Sequence, residues 1–141
     1  MGFNMLLWIV QGLLAALFLF AGSVKLVLPL EALAGPVDLP GWFLRFIGIA
    51  EVLGAIGLIL PGLLRIRPLL TPLAATGLTI IMIGATVVTA AGGQVAPALF
   101  PLAVGVLAAL VAVGRARSMA SPAPALRQAQ GKARSVVQHA Q

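Results

Sequence analysis

Residues 41–61 read GWFLRFIGIAEVLGAIGLILP, twenty-one residues with one base, Arg45, one acid, Glu51, and a proline at the end. About 20 apolar residues in helical form cross the roughly 30 Å hydrocarbon layer of a bilayer, so residues 41–60 are expected to span a membrane and to stop at Pro61. Working outward, the same pattern recurs on both sides. Residues 5–28 are apolar and stop at Pro29, residues 69–91 stop at Gly92 and Gly93, and residues 97–114 end at Gly114 before Arg115. The connections between these runs are too short to hold a soluble domain. The expectation is an all-α, integral membrane four-helix bundle over residues 1–114, followed by a short basic C-terminal tail, residues 115–141.

Composition agrees. Of 141 residues, 61% are hydrophobic and 9% charged, whereas a soluble domain carries about 25% charged residues to cover its surface. Seven of the nine bases (Arg65, Arg67, Arg115, Arg117, Arg127, Lys132, Arg134) lie in the 61–68 loop or the tail. The net charge of +6 does not point to nucleic acid, because no basic stripe with interleaved aromatics exists; membrane lipids with anionic headgroups are the expected partners. The absence of cysteine removes disulfide frameworks, thiol catalysis and cysteine-based zinc sites. Three acids and one distant His139 make no metal-ligand set, neither a Walker A nor a dinucleotide fingerprint is present, and the sequence requires no cofactor.

A cleaved signal peptide has a basic start and a 7–15-residue apolar core. Residues 1–24 hold no Lys or Arg and the apolar run is about twice that length, so residues 5–28 are read as a span. Four spans put residues 1–4, the 61–68 loop and the tail on one side, with Arg65, Arg67, Arg115 and Arg117 close to span ends. The positive-inside rule then expects both termini to be cytoplasmic and the 29–40 loop to face outward. Single cysteines at Ala34 and Ala120 should be labelled by an impermeant thiol reagent from opposite sides in intact cells; labelling from the same side overturns this orientation.

An ionisable group at membrane depth is a functional-site candidate, and three qualify. Glu51 lies nine residues beyond Trp42, about 13 Å along a helix, near the midplane if Trp42 marks an interfacial belt. Lys25 and Arg45 each sit about one turn inside the outer ends of their spans, within snorkelling reach of the interface. Arg45 is expected to serve as an interfacial anchor or to pair with Asp38 or Glu31. Glu51 has two readings: a carboxyl hydrogen-bonded to a neighbouring helix, or an ion pair with Lys25 across an axial gap of about 9 Å. Gly48 and Gly54, three residues to either side of Glu51, permit close backbone approach or leave a cavity. Gln11 lies on nearly the same face as Lys25, about four turns deeper. Thr79, Met82, Thr86 and Thr89 form one stripe on the third span, read mainly as packing and secondarily as the wall of a polar binding pocket. In the tail, Leu126, Ala129, Ala133, Val136, Val137 and Ala140 share a helical face, so the tail is either a weak amphipathic helix on anionic lipid or a disordered basic segment.

The stretches FLFAGSVKL at 18–26, RFIGIAEVLGAIGLILP at 45–61 and TPLAATGLTIIMIGA at 71–85 resemble the DoxX-like family of small bacterial four-span membrane proteins over about residues 5–114. The resemblance places Lys25, Arg45, Glu51 and Pro61 at family-typical positions and implies a four-helix bundle of the bacterial cytoplasmic membrane. It also implies roles in quinone-linked redox complexes, detoxification or partner-subunit assembly, hence a membrane redox partner or a homo-oligomer. Many relatives carry a His after the MIGA run where this chain has Thr89, which weakens any catalytic role carried over from them.

Two functions from different classes follow. The favoured one is an accessory subunit or lipid- or quinone-type binding module in which Glu51 and Lys25 form a buried polar lock. The alternative is a small intramembrane enzyme with Glu51 as general acid/base on a quinone, terpenoid or epoxide, and Lys25 or Arg45 steadying negative charge. An ion pathway would need a chain of ionisable groups, and below Glu51 only Gln11 and the threonines continue the polar track.

Overall fold

The computed structural model describes residues 2–35, 37–120 and 124–140. Four long apolar helices carry the fold: α1 (Gly2–Val27), α2 (Gly41–Leu64), α3 (Leu70–Ala91) and α4 (Val95–Ala120). A fifth, α5 (Pro124–His139), follows. Chain neighbours pack in order, α1 on α2, α2 on α3 and α3 on α4, and α4 closes against α1. Each helix turns one stripe inward: Leu7, Gln11, Leu14, Phe18 and Gly22 on α1; Gly48, Glu51, Ala55 and Leu58 on α2; Thr71, Ala75, Leu78 and Met82 on α3; Val104, Ala108, Val111 and Gly114 on α4. Steps of three and four residues keep such a stripe on one side of a helix, the packing of left-handed bundles.

The outward faces are apolar as well. Leu13, Phe20, Leu53, Ile80, Leu99 and Leu110 are all exposed, a surface that water would not tolerate over this extent and that acyl chains cover without penalty. The length, hydropathy and inward-facing polar residues of the four helices make this a membrane protein.

The helix bounds differ from the expected spans in instructive ways. The second helix does not stop at Pro61 but continues one turn to Leu64. Proline removes one N–H and one ladder bond, but neighbouring helices tolerate it within a membrane span. The helix ends instead where Arg65 takes a left-handed conformation, φ 53°, with the N–H groups of Arg65 and Ile66 both returned to the Pro61 carbonyl. The fourth helix begins at Val95 and runs past Gly114 to Ala120, so Arg115 and Arg117, assigned to the tail from sequence, belong to α4. Most of the remaining tail is helical, and the side chains described in α5 are exposed. The 29–40 loop holds a short 3-10 helix, Leu30–Leu33.

Candidate functional site

The α1–α2 seam is set by two glycines. A Cβ added to Gly22 would lie 2.7 Å from the carbonyl oxygen of Gly48 and 2.8 Å from Val52 Cγ2, and one added to Gly48 would lie 3.0 Å from Lys25 Cβ. The backbones therefore meet at a distance only glycine permits, the small-residue mode of membrane helix association. Gly22 precedes Lys25 by three residues and Gly48 precedes Glu51 by three, so the contact brings the two charged side chains together one turn further along each helix. Lys25 Nζ donates to Glu51 Oε2 at 2.9 Å. The Glu51 side chain is 2% exposed, that of Lys25 27%. Lys25 thus turns inward to the carboxylate, and the axial gap judged from residue spacing is closed by the two stems.

Arg45 completes this end of the seam in a way its spacing did not suggest. Four residues beyond Lys25 stands Pro29, which has no N–H to return to the Lys25 carbonyl. Arg45 Nη1 donates to that oxygen, supplying a bond the last turn of α1 lacks. The bond the structure gives Arg45 is thus to the α1 backbone and not to Asp38 or Glu31, the partners expected from sequence. The alternatives for the glycines flanking Glu51 resolve toward close packing: Gly48 meets α1, and a Cβ on Gly54 would meet the Leu78 side chain at 2.6 Å.

Gln11 belongs to a different cluster. Its Nε2 donates to the Leu58 carbonyl at 2.6 Å, and its Oε1 accepts from Arg115 Nε. Arg115 Nη1 also donates to Asn4 Oδ1 at 2.8 Å, and its guanidinium lies over the Trp8 ring, 5.1 Å from the centroid. Sequence reasoning treated Arg115 only as a flanking charge. The signal that could have found it is the Asn4, Trp8, Gln11 series at i, i+4, i+7, one polar and aromatic stripe on α1 that needs a partner.

The α3 stripe divides. Met82 is buried in the common core with Phe18, Leu58, Leu78 and Val111. Thr79 and Thr86 donate to the carbonyls of Ala75 and Met82, four residues back, at 2.8 and 2.7 Å, the usual satisfaction of threonine inside a membrane helix. Thr89 is half-buried. Among the described residues, two cavities of the bundle stand out. One of about 340 Å³ is lined by Trp8, Gln11, Arg65, Thr71, Arg115 and their neighbours. The other, an apolar groove of about 400 Å³ between α2 and α3, is lined by Gly54, Gly57, Leu70, Ala74, Gly77, Leu78 and adjacent apolar residues. Neither is lined by Lys25, Glu51 or any residue of the Thr79–Thr89 stripe.

No curated protein and no solved structure matches the chain. A family model does: that of the DoxX-like family matches residues 9–111, a stretch that holds Gln11, Lys25, Arg45 and Glu51. With four apolar helices of spanning length, an ion-paired glutamate at their first seam and a family match over most of its length, the chain belongs to the DoxX-like family.

Proposed function

We propose that the protein is a non-catalytic accessory module of the bacterial cytoplasmic membrane, its termini on the cytoplasmic side, which binds an apolar, quinone- or lipid-like molecule on its outer surface. The observation that carries this reading is where the polar residues go. Glu51 is engaged by Lys25, Arg45 by the Lys25 carbonyl and Gln11 by the Leu58 carbonyl, so the deep polar groups join helix to helix. An acid–base role for Glu51 would need a ligand cavity at its carboxyl, whereas the two cavities described above are lined by other residues. What the bundle offers outward is the α2–α3 groove. Leu53 and Leu73, both exposed, line it, and of its glycines Gly77 is the one with no atom within 4 Å of an added Cβ, which leaves room there for a flexible hydrocarbon chain.

The test uses a diazirine-bearing prenylquinone in proteoliposomes of the full chain. Photolabel is expected to concentrate on the groove residues of α2 and α3. A Cβ at Gly77 meets nothing within 4 Å, so Gly77→Leu should keep the fold, fill the groove there and remove most of that label. Uniform labelling of all outward faces, unchanged by Gly77→Leu, overturns the binding reading.

A further inference from the structure

The second polar cluster has chemistry that the packing of the bundle does not use up. Arg115 is held from three sides: Nε by Gln11, Nη1 by Asn4, and its face by the Trp8 ring. Its remaining nitrogen, Nη2, is buried without a hydrogen-bond partner, the one such side-chain atom among the described residues. A buried donor left unpaired is disfavoured and calls for an explanation, and Arg115, the residue that carries it, is among those that line the 340 Å³ cavity.

Arg65 lines the same cavity from the α2–α3 turn, where α2 ends in a left-handed residue. Two arginines therefore line one space, and no acidic residue lines it. The three acids of the chain lie elsewhere, Glu31 and Asp38 in the 29–40 loop and Glu51 on Lys25. The rest of the lining is mixed. The Thr71 and Ser118 side chains stand among Trp8, Pro61, Ile66, Pro68 and Met119, and Ile66 and Met119 are exposed at the rim.

Position selects the ligand class. Trp8 precedes Lys25 by seventeen residues on α1, about 26 Å of helix, so the cavity sits at the opposite end of the bundle from the Lys25–Glu51 pair. It lies at the level of Asn4, Arg65 and Ser118, where helices end and headgroups begin. Guanidinium pairs match the geometry of phosphoryl oxygens, and basic pockets between spanning helices take lipid phosphates.

We propose that this cavity is a phosphoryl-binding site that takes the headgroup of an anionic phospholipid, with Arg115 and Arg65 as donors and the apolar rim against the glycerol and first acyl carbons. The site does not depend on the function proposed above, and its test reads a different end of the molecule.

The full chain in neutral maltoside micelles, carrying Trp42→Phe so that Trp8 is its one tryptophan, is titrated with phosphatidylglycerol brominated on its acyl chains. Trp8 fluorescence should be quenched saturably. Arg65→Gln touches none of the bonds that hold Arg115 in place and should raise the half-saturation concentration about fivefold. Arg115→Lys, which keeps charge but loses the fork, should raise it by at least about tenfold. Brominated diacylglycerol, identical but for the phosphate, should give no saturable phase. Inorganic phosphate in large molar excess separates the sources: failure to relieve the quench assigns the site to lipid, whereas displacement of the lipid keeps the phosphoryl site and overturns the lipid as its natural source. An Arg65→Gln midpoint equal to that of the parent, or equal quenching by the diacylglycerol, overturns the site itself.

Discussion

Lys25→Met is expected to destabilise the bundle by roughly 3 to 5 kcal/mol, because removing one partner of a buried ion pair leaves the other charge uncompensated. Glu51 is the partner that cannot escape: its side chain is 2% exposed and lies in the middle of α2. The reverse deletion is milder. Lys25 stands in the last turn of α1 and keeps 27% exposure, so in Glu51→Leu the ammonium can reach the interface along its own stem, and a loss of about 1 to 2 kcal/mol is expected. Glu51→Gln, which keeps shape and hydrogen bonding, should fold normally. The double variant Lys25→Met/Glu51→Leu replaces an ion pair with apolar groups and should recover to within about 1 kcal/mol of the parent. Unfolding of the four proteins by a denaturing detergent in mixed micelles gives the cycle directly. If the effects of the two single variants simply add in the double, the two residues are not coupled and the lock does not exist.

Gly22→Ile should be nearly as damaging, although it adds only hydrocarbon to a hydrocarbon environment. The new Cβ would meet the Gly48 carbonyl oxygen at 2.7 Å, and a backbone atom cannot rotate away as a side chain does. The helices must part, at about 1 to 3 kcal/mol for the overpacking, and parting them also stretches the Lys25–Glu51 bond one turn away. The control is the same change of type at an open position. A Cβ at Gly12 or Gly84 meets nothing within 4 Å, so Gly12→Ile and Gly84→Ile should be neutral or slightly stabilising, by up to about 0.5 kcal/mol, through helix propensity. Equal loss at Gly22 and Gly12 in the same unfolding assay would show that glycine matters there for flexibility and not for close approach.

The membrane class, the count of four spans and the candidacy of Glu51 were legible in the sequence because each rests on a local property. Spanning length and hydropathy are sums over twenty neighbouring residues, and a lone acid in such a run is conspicuous without a structure. Span ends were less legible. Pro61 reads as a stop, yet α2 passes through it and ends at a left-handed Arg65, because neighbouring helices support a proline that an isolated helix would not. Span four reads as ending at Gly114 because a charge follows it, whereas Arg115 is drawn into the bundle by Gln11, Asn4 and Trp8.

Hydropathy and run length alone place this chain in a membrane as four helices with a few polar groups inside. Which of those groups meet is a matter of helix packing. Lys25 and Glu51 are 26 residues apart and Gln11 and Arg115 are 104 apart. Such pairings depend on which faces two helices present and how closely their backbones approach. That approach is set at Gly22 and Gly48, where the lack of a side chain leaves nothing in a hydropathy profile to read. The same holds for Arg45: its spacing to Asp38 and Glu31 suggested a loop partner, but the carbonyl left without a donor by Pro29 lies on another helix, and only packing places the guanidinium within reach of it.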